Sequence, residues 1–268
     1  MDVFHALILG ITQGLTEFLP VSSTGHLILV RDIFNITAEG NVAFDAVLHL
    51  ATLLAVLIYF RNDISTLLKT AIGIVFRKEV LDADRIFLYA IIIGTLPAVV
   101  LGLLLENTID SVFRHSLIVA IGLCVGTLLM YVAEKRITGE HGLSVQKGFR
   151  IGWFQALALL PGISRSGATI SGGMLMGLTR EAATRFAFVL SFPVLLGGGL
   201  MSLLKITNTG GTDMTALVVG CIAAFVSGLL AIHFLVSYLK RHSFSIFIWY
   251  RILLAAAIVL LVATGVLS

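Results

Sequence analysis

Two short segments concentrate the side chains that could do chemistry. The first is Gln13-Gly-Leu-Thr-Glu17-Phe-Leu-Pro20-Val-Ser22-Ser23-Thr24-Gly25-His26. Gln13 and Glu17 are i,i+4 neighbours on one helical face. Pro20 ends that helix, and Ser22, Ser23 and Thr24 are natural N-caps for the next one. The free N–H groups and dipole at such a helix start favour an anion. His26 follows Ser23 by one turn, within reach of a substrate oxygen or a proton. The second segment is Leu160-Pro161-Gly162-Ile163-Ser164-Arg165-Ser166-Gly167-Ala168-Thr169. It repeats the design and adds Arg165, a permanent cation whose forked donors suit phosphate or carboxylate.

Hydroxyl groups in apolar segments often do no more than join helices. Three in a row beside Glu17 and His26 ask for more, because a carboxylate at membrane depth costs about 3 kcal/mol and is functional by default. Arg165 could instead serve only to neutralise Glu17, although that leaves both hydroxyl-rich breaks without a reason. Glu17 would repel a phosphate, and a divalent cation between them removes the conflict. Mg²⁺ or Ca²⁺ takes one carboxylate plus substrate oxygens, with Glu17 and the Gln13 amide oxygen as protein ligands. No Cys/His cluster suggests zinc. Cys124 and Cys221 lie in apolar runs and read as core packing.

The elements that position these residues must be membrane helices. Of 268 residues, 58% are hydrophobic and 12% charged, with a mean hydropathy of +1.03. Soluble domains carry about 25% charged residues. These values exclude a soluble enzyme, a nucleic-acid binder, a disordered chain and a disulfide scaffold. The pI near 9.0 reflects basic residues flanking spans, not a nucleic-acid partner. Long continuous apolar runs exclude a barrel. Six crossings are expected at 44–60, 86–105, 115–133, 183–204, 215–238 and 246–267. Regions 3–34 and 149–178 are instead broken by Pro/Gly/Ser clusters and read as re-entrant hairpins. The first lacks a basic n-region and is a poor signal peptide.

At an offset of 142, thirteen of the 45 positions from 10 to 54 are identical, among them Gly10/Gly152, Gln13/Gln155, Ser22/Ser164, Gly25/Gly167, Thr37/Thr179 and Glu39/Glu181. The reading is one all-α membrane domain, 1–268, made of two repeats of about 1–134 and 135–268. Each is a hairpin followed by three crossings. Three is odd, so the second repeat is inverted, an architecture that places sites near the midplane. Loops 61–85, 134–150, 179–185 and 239–245 then carry thirteen Lys and Arg residues, against three on the other face (Arg31, Arg114 and Lys205). The basic face is expected to meet the cytoplasm, with the protein in the inner (plasma) membrane and the first hairpin opening outward.

The two polar segments closely resemble the signatures of undecaprenyl-pyrophosphate phosphatases of the bacitracin-resistance type. The likeness extends to Pro97-Ala-Val-Val-Leu-Gly, Ser171-Gly-Gly-Met-Leu-Met-Gly177 and Tyr250-Arg251. It implies conversion of undecaprenyl pyrophosphate to undecaprenyl phosphate and inorganic phosphate, recycling the lipid carrier for cell-wall glycans. It implies Glu17 as a metal-linked acid, Ser23 and His26 at the reaction centre and Arg165 as the phosphate clamp. Ser22, Thr24, Ser164, Ser166 and Thr169 would line the pocket. Position 13 is Glu in some relatives and Gln here, which removes one carboxylate from the metal. The expected partners are the polyprenyl pyrophosphate lipid, the bilayer and a second copy in a homodimer.

Three attacking groups remain open at this level, with a direct role for His26 favoured: His26 forming a phospho-enzyme, Ser23 with His26 as base, or water activated by His26. A transporter or flippase of a phosphorylated polyprenyl lipid is the rival function, since inverted repeats with broken helices are transporter architecture. The remaining polar residues read as structural. His5, His115, His141 and His242 are expected to be solvated, and His49 and His233 to be satisfied core histidines. Arg251 is expected to snorkel towards the cytoplasmic interface. Asp45 could help the site or equally compensate a helix N-terminus, and Gly197-Gly-Gly199 could permit close helix packing.

Overall fold

The computed structural model describes residues 1–36, 41–112, 116–139, 142–205 and 213–265. Within them lie eleven helices and no strand: α1 (Val3–Phe18), α2 (Ser23–Ile33), α3 (Asn41–Tyr59), α4 (Arg61–Val75), α5 (Asp82–Val112), α6 (Ser116–Arg136), α7 (Val145–Leu157), α8 (Arg165–Leu175), α9 (Arg180–Lys205), α10 (Met214–Leu239) and α11 (Ser245–Ala263). Thr37, Glu39, Arg114, His115, His141 and the last residues of the final expected crossing lie outside the described residues.

Five helices are long and apolar enough to cross a membrane, and a sixth span is added if the bent pair α3–α4 is taken as one. Their outward surfaces are apolar: Leu104, Leu230 and Leu253 are each more than 60% exposed. Such surface is stable only against lipid, so the chain is a multi-pass helical membrane protein. Each apolar segment expected from the sequence falls on a helix. The loop expected over 61–85 does not survive, because α4 fills most of it after an 82° turn from α3. Its apolar residues recur at helical spacing, from Ile64 through Leu67 and Leu68 to Ile72.

Local chemistry sets the ends of the short helices. The Asp2 side chain accepts from the His5 N–H at 2.8 Å and starts α1. Pro20 forces Leu19 into an extended conformation (φ −64°, ψ 142°), which stops it. Ser144 caps α7 by accepting from the Lys147 N–H. Gly177, at φ +86°, closes α8.

The two halves interlock crosswise. Helix α1 lies backbone to backbone on α10, and α7 on α5. A Cβ built on Gly10 would stand 2.3 Å from the Gly220 carbonyl oxygen, and one on Gly152 would stand 2.1 Å from that of Gly94. Only residues without side chains permit this approach, the usual device of membrane helix pairs. Of the glycine triplet 197–199, only Gly199 meets a neighbour, Leu50. The main core gathers Phe18, Phe60 and Phe188 under the first hairpin, with Phe18 and Phe188 edge to face at 5.7 Å.

Candidate active site

The two breaks have the same backbone. Ser22 sits at φ 76°, ψ 101° and Ser164 at φ 71°, ψ 114°. Each side chain accepts from the N–H three residues on: Gly25 to Ser22 at 3.4 Å, and Gly167 to Ser164 at 3.3 Å. These are the N-caps of α2 and α8. A left-handed conformation costs a non-glycine residue about 1–3 kcal/mol and marks a site held in place by its surroundings. Both serines keep this strain at positions 142 residues apart.

Between the breaks lies a cavity of about 200 Å³. Glu17, Ser22, Ser23 and Thr24 line it from the first hairpin, and Pro161, Gly162, Ser164 and Arg165 from the second. His49 of α3 and Val194 and Leu195 of α9 complete the wall. Glu17 is buried and is the hub. Its Oε1 accepts from Arg165 Nη2 at 2.9 Å, and its Oε2 accepts from Gln13 Nε2 at 2.9 Å and from Ser23 Oγ at 3.0 Å. The pair Arg165–Glu17 is therefore real. It uses only one nitrogen of the fork, because Arg165 Nη1 is buried with no partner among the described residues. A charge-bearing N–H left in this way is costly unless an acceptor joins it, and a phosphate oxygen is suited to that place.

The other expected residues divide. Ser166 Oγ donates to the Leu19 carbonyl at 3.2 Å and so ties the second hairpin to the first. Thr169 Oγ1 donates to the carbonyl of Arg165 at 2.7 Å, within α8. His26 is not in the cavity wall. Its Nδ1–H donates to the Ser22 carbonyl at 2.7 Å and its Nε2 meets the Tyr250 hydroxyl at 2.6 Å.

Several side chains do more than the sequence suggested. Arg251 does not snorkel but is wholly buried. It donates to the carbonyls of Pro20 (3.2 Å), Gly162 (2.9 Å) and Leu123 (3.0 Å) and to Thr127 Oγ1 (2.9 Å). One guanidinium thus holds both breaks. Its signal was present, since a charge inside an apolar run is functional by default. His49 is a cavity residue, with Nε2 3.9 Å from Glu17 Oε2. Its Nδ1–H donates to the Asp45 carbonyl at 2.8 Å. The Asp45 carboxylate takes Arg31, which tethers the end of α2 to α3. His233 and Cys124 are exposed, not packed in the core.

Gln13 and Glu17 are the oxygen donors that could hold a divalent cation; Gln13 is not among the residues lining the cavity. Gln13 Oε1 is buried and without a partner among the described residues, beside the Glu17 carboxylate. No cluster of three His, Cys, Asp or Glu residues forms among the described residues. Any divalent cation here would need further oxygens from the substrate. A depression of about 340 Å³ beside the Asp63–Arg185 pair and an apolar groove of about 840 Å³ between α6 and α11 are larger. Neither contains an expected site residue.

Fold and site together define a polytopic helical membrane protein with a buried carboxylate, guanidinium and hydroxyl cluster suited to an anionic oxygen ligand. Residues 6–257 match the family described as Bacitracin resistance protein BacA, and the chain belongs to that family. It is 41% identical over 283 residues to the undecaprenyl-diphosphatase of Chlorobium chlorochromatii, covering the full length of both chains. It is 40% identical to that of Pelotomaculum thermopropionicum, over 98% of each chain. With that of Thermobifida fusca it shares 42% identity over all of this chain and 93% of the relative.

Proposed function

We propose that the chain hydrolyses undecaprenyl pyrophosphate to undecaprenyl phosphate and inorganic phosphate, and so recycles the lipid carrier for cell-wall glycans. The observation that carries this reading is the meeting of Glu17, Ser23 and Arg165 in one cavity between two capped breaks. Arg165 Nη1 and the N-termini of α2 and α8 receive the non-bridging oxygens of the terminal phosphate. A Mg²⁺ or Ca²⁺ ion held by Glu17 and Gln13 Oε1 would neutralise charge as the bridging P–O bond opens. Positioning and electrostatics supply most of the rate in phosphoryl transfer.

Ser23 is the attacking group in this scheme. Its Oγ faces the cavity with its proton directed at Glu17 Oε2, whereas both nitrogens of His26 are engaged elsewhere. The Ser23 Oγ–P bond forms as the bond to undecaprenyl phosphate breaks, and water then releases inorganic phosphate from Ser23. Ser22, Thr24 and Ser164 line the pocket, while Ser166 and Thr169 hold its walls.

The arrangement in the membrane follows the same reading. The matched breaks at Ser22 and Ser164, and the crosswise pairs α1–α10 and α7–α5, support an inverted repeat in a single domain. The hairpins are re-entrant and six spans surround them. The basic loops face the cytoplasm, and the cavity opens to the outer side of the inner (plasma) membrane.

The test is phosphate release from undecaprenyl pyrophosphate by detergent-purified protein, with and without Mg²⁺ or Ca²⁺. Metal-dependent release, strongly reduced in Glu17→Ala and Arg165→Ala, is expected. Trapped ³²P that is stable to acid and labile to base identifies Ser23, and the reverse identifies His26. A second reading, translocation of a phosphorylated polyprenyl lipid, draws on the symmetry of the breaks. Lipid binding by folded protein without phosphate release would establish it instead.

A further inference from the structure

We propose that Tyr250 is a positioning residue for hydrolysis, acting through His26 on the backbone of Ser22 and thereby on Ser23. The inference rests on the phosphatase reading above. The Ser22 carbonyl can only accept, so the proton on His26 Nδ1 is fixed by the 2.7 Å contact. Nε2 of the neutral ring then offers a lone pair, and the Tyr250 hydroxyl donates to it at 2.6 Å. The two rings lie within 6° of parallel, with centroids 5.6 Å apart. The imidazole is held at both nitrogens, and it acts as a strut between α11 and the first break.

Arg251 holds both breaks, but the His26–Tyr250 strut is found only at the first. Ser22 and Ser164 adopt the same strained conformation, which persists only where the surroundings over-determine it. At Ser164 burial does this, because nine of the eleven residues of α8 are buried. The residue matching His26 at the offset of 142 is Ala168, which makes no such contact. In α2 only Gly25 and Leu27 are buried. Side-chain struts from α11 replace the missing burial: Arg251 holds the Pro20 carbonyl, and Tyr250 through His26 holds that of Ser22. Ser23 comes next in the chain, and its hydroxyl must meet a phosphorus atom held by Arg165. Loosening Ser22 misdirects Ser23 and leaves the anion-binding guanidinium in place. The turnover step suffers while binding does not.

The experiment uses the full chain in detergent with undecaprenyl pyrophosphate and Mg²⁺. It compares wild type, Tyr250→Phe, His26→Gln, the double variant and Arg165→Ala. Tyr250→Phe keeps the ring and removes one hydroxyl. We expect kcat about tenfold lower, what one hydrogen bond is worth, with KM and the melting temperature unchanged. In the His26→Gln background the Tyr250 change should have no further effect, the coupling expected of residues acting through one contact. Wild-type kcat in Tyr250→Phe overturns the proposal. So does a tenfold loss that persists on top of His26→Gln, and so does a collapse of thermal stability, which would make the contact purely structural. If folded wild type releases no phosphate, or Arg165→Ala is fully active, the phosphatase reading itself fails and the Tyr250 role falls with it. With wild type active and Arg165→Ala inactive, the Tyr250→Phe result bears on Tyr250 alone.

Discussion

The two breaks share their backbone angles and their serine caps, yet they are held by different means. The second is set in the body of the protein: α8 is packed on α6, α7 and α9, and its residues from Ser166 to Met174 are buried. The first is set at the edge. Only two residues of α2 are buried, Thr24 is exposed, and its anchors are the Arg31–Asp45 ion pair, the His26–Tyr250 contact and Arg251. Arg165 sits on the buried hairpin and the Ser23 hydroxyl on the tethered one. In the proposed mechanism a rigid anion clamp would face an adjustable nucleophile, so that one member holds the phosphate while the other approaches it. Two breaks of the same backbone geometry are thus held by different contacts.

Substitutions can sharpen or erase this contrast. The largest effect is expected from Arg165→Ala, which removes the clamp and should lower kcat by about 10²–10³-fold. Arg165→Lys should recover only part of the loss, because a point charge does not replace a fork. Phosphate-release kinetics read both. Arg251→Met strips donors from the carbonyls of Pro20, Gly162 and Leu123 together, and each buried acceptor left unpaired costs about 1–3 kcal/mol. Thermal melting should therefore report a loss of about 3 kcal/mol or more, felt at both breaks.

The caps separate the hairpins more finely. Ser164→Ala should cost about 1 kcal/mol of stability. Ser22→Gly should be close to neutral, because relief of the positive φ offsets a cap loss of a few tenths. Melting curves in which the two variants behave alike would show that the positive φ carries no strain for Ala to keep and Gly to relieve. The smallest effect is kinetic: in hydrogen exchange, amides of α2 should open well before those of α8. Equal protection would show that the tethers hold α2 as firmly as burial holds α8.

Glu17 and Arg165 were legible because charge in an apolar run is conspicuous, and the serines because Pro20 and Pro161 announce a break. Their convergence was legible too, through the repeat. The direction of His26 was not. Spacing along a helix places it one turn from Ser23, but a strained residue at the cap rotates α2 so that the imidazole turns to Tyr250. The burial of Arg251 was hidden because nearness to a span end suggests water, whereas its partners are carbonyls released by two distant prolines and glycines. His49 looked like core because its neighbours are apolar, and only the fold reveals that its face of α3 meets Glu17. Helix α4 was hidden by Arg61, Asn62, Asp63 and Lys69, whose polarity outweighs a modest apolar stripe.

The crosswise pairing of α1 with α10 and of α7 with α5 also bears on biogenesis. The first hairpin leaves the ribosome about 200 residues before the helix that covers it, since Gly10 waits for Gly220. Until then its glycine seam has no seat, and the nascent N-terminal half is an open clasp. The second hairpin meets α5 already in place. Assembly therefore ends where the chain began, and the two breaks gain their contacts to Tyr250 and Arg251 only after α11 has arrived. A polypeptide interrupted before its last two helices would hold a nearly complete set of reactive side chains and no working arrangement of them.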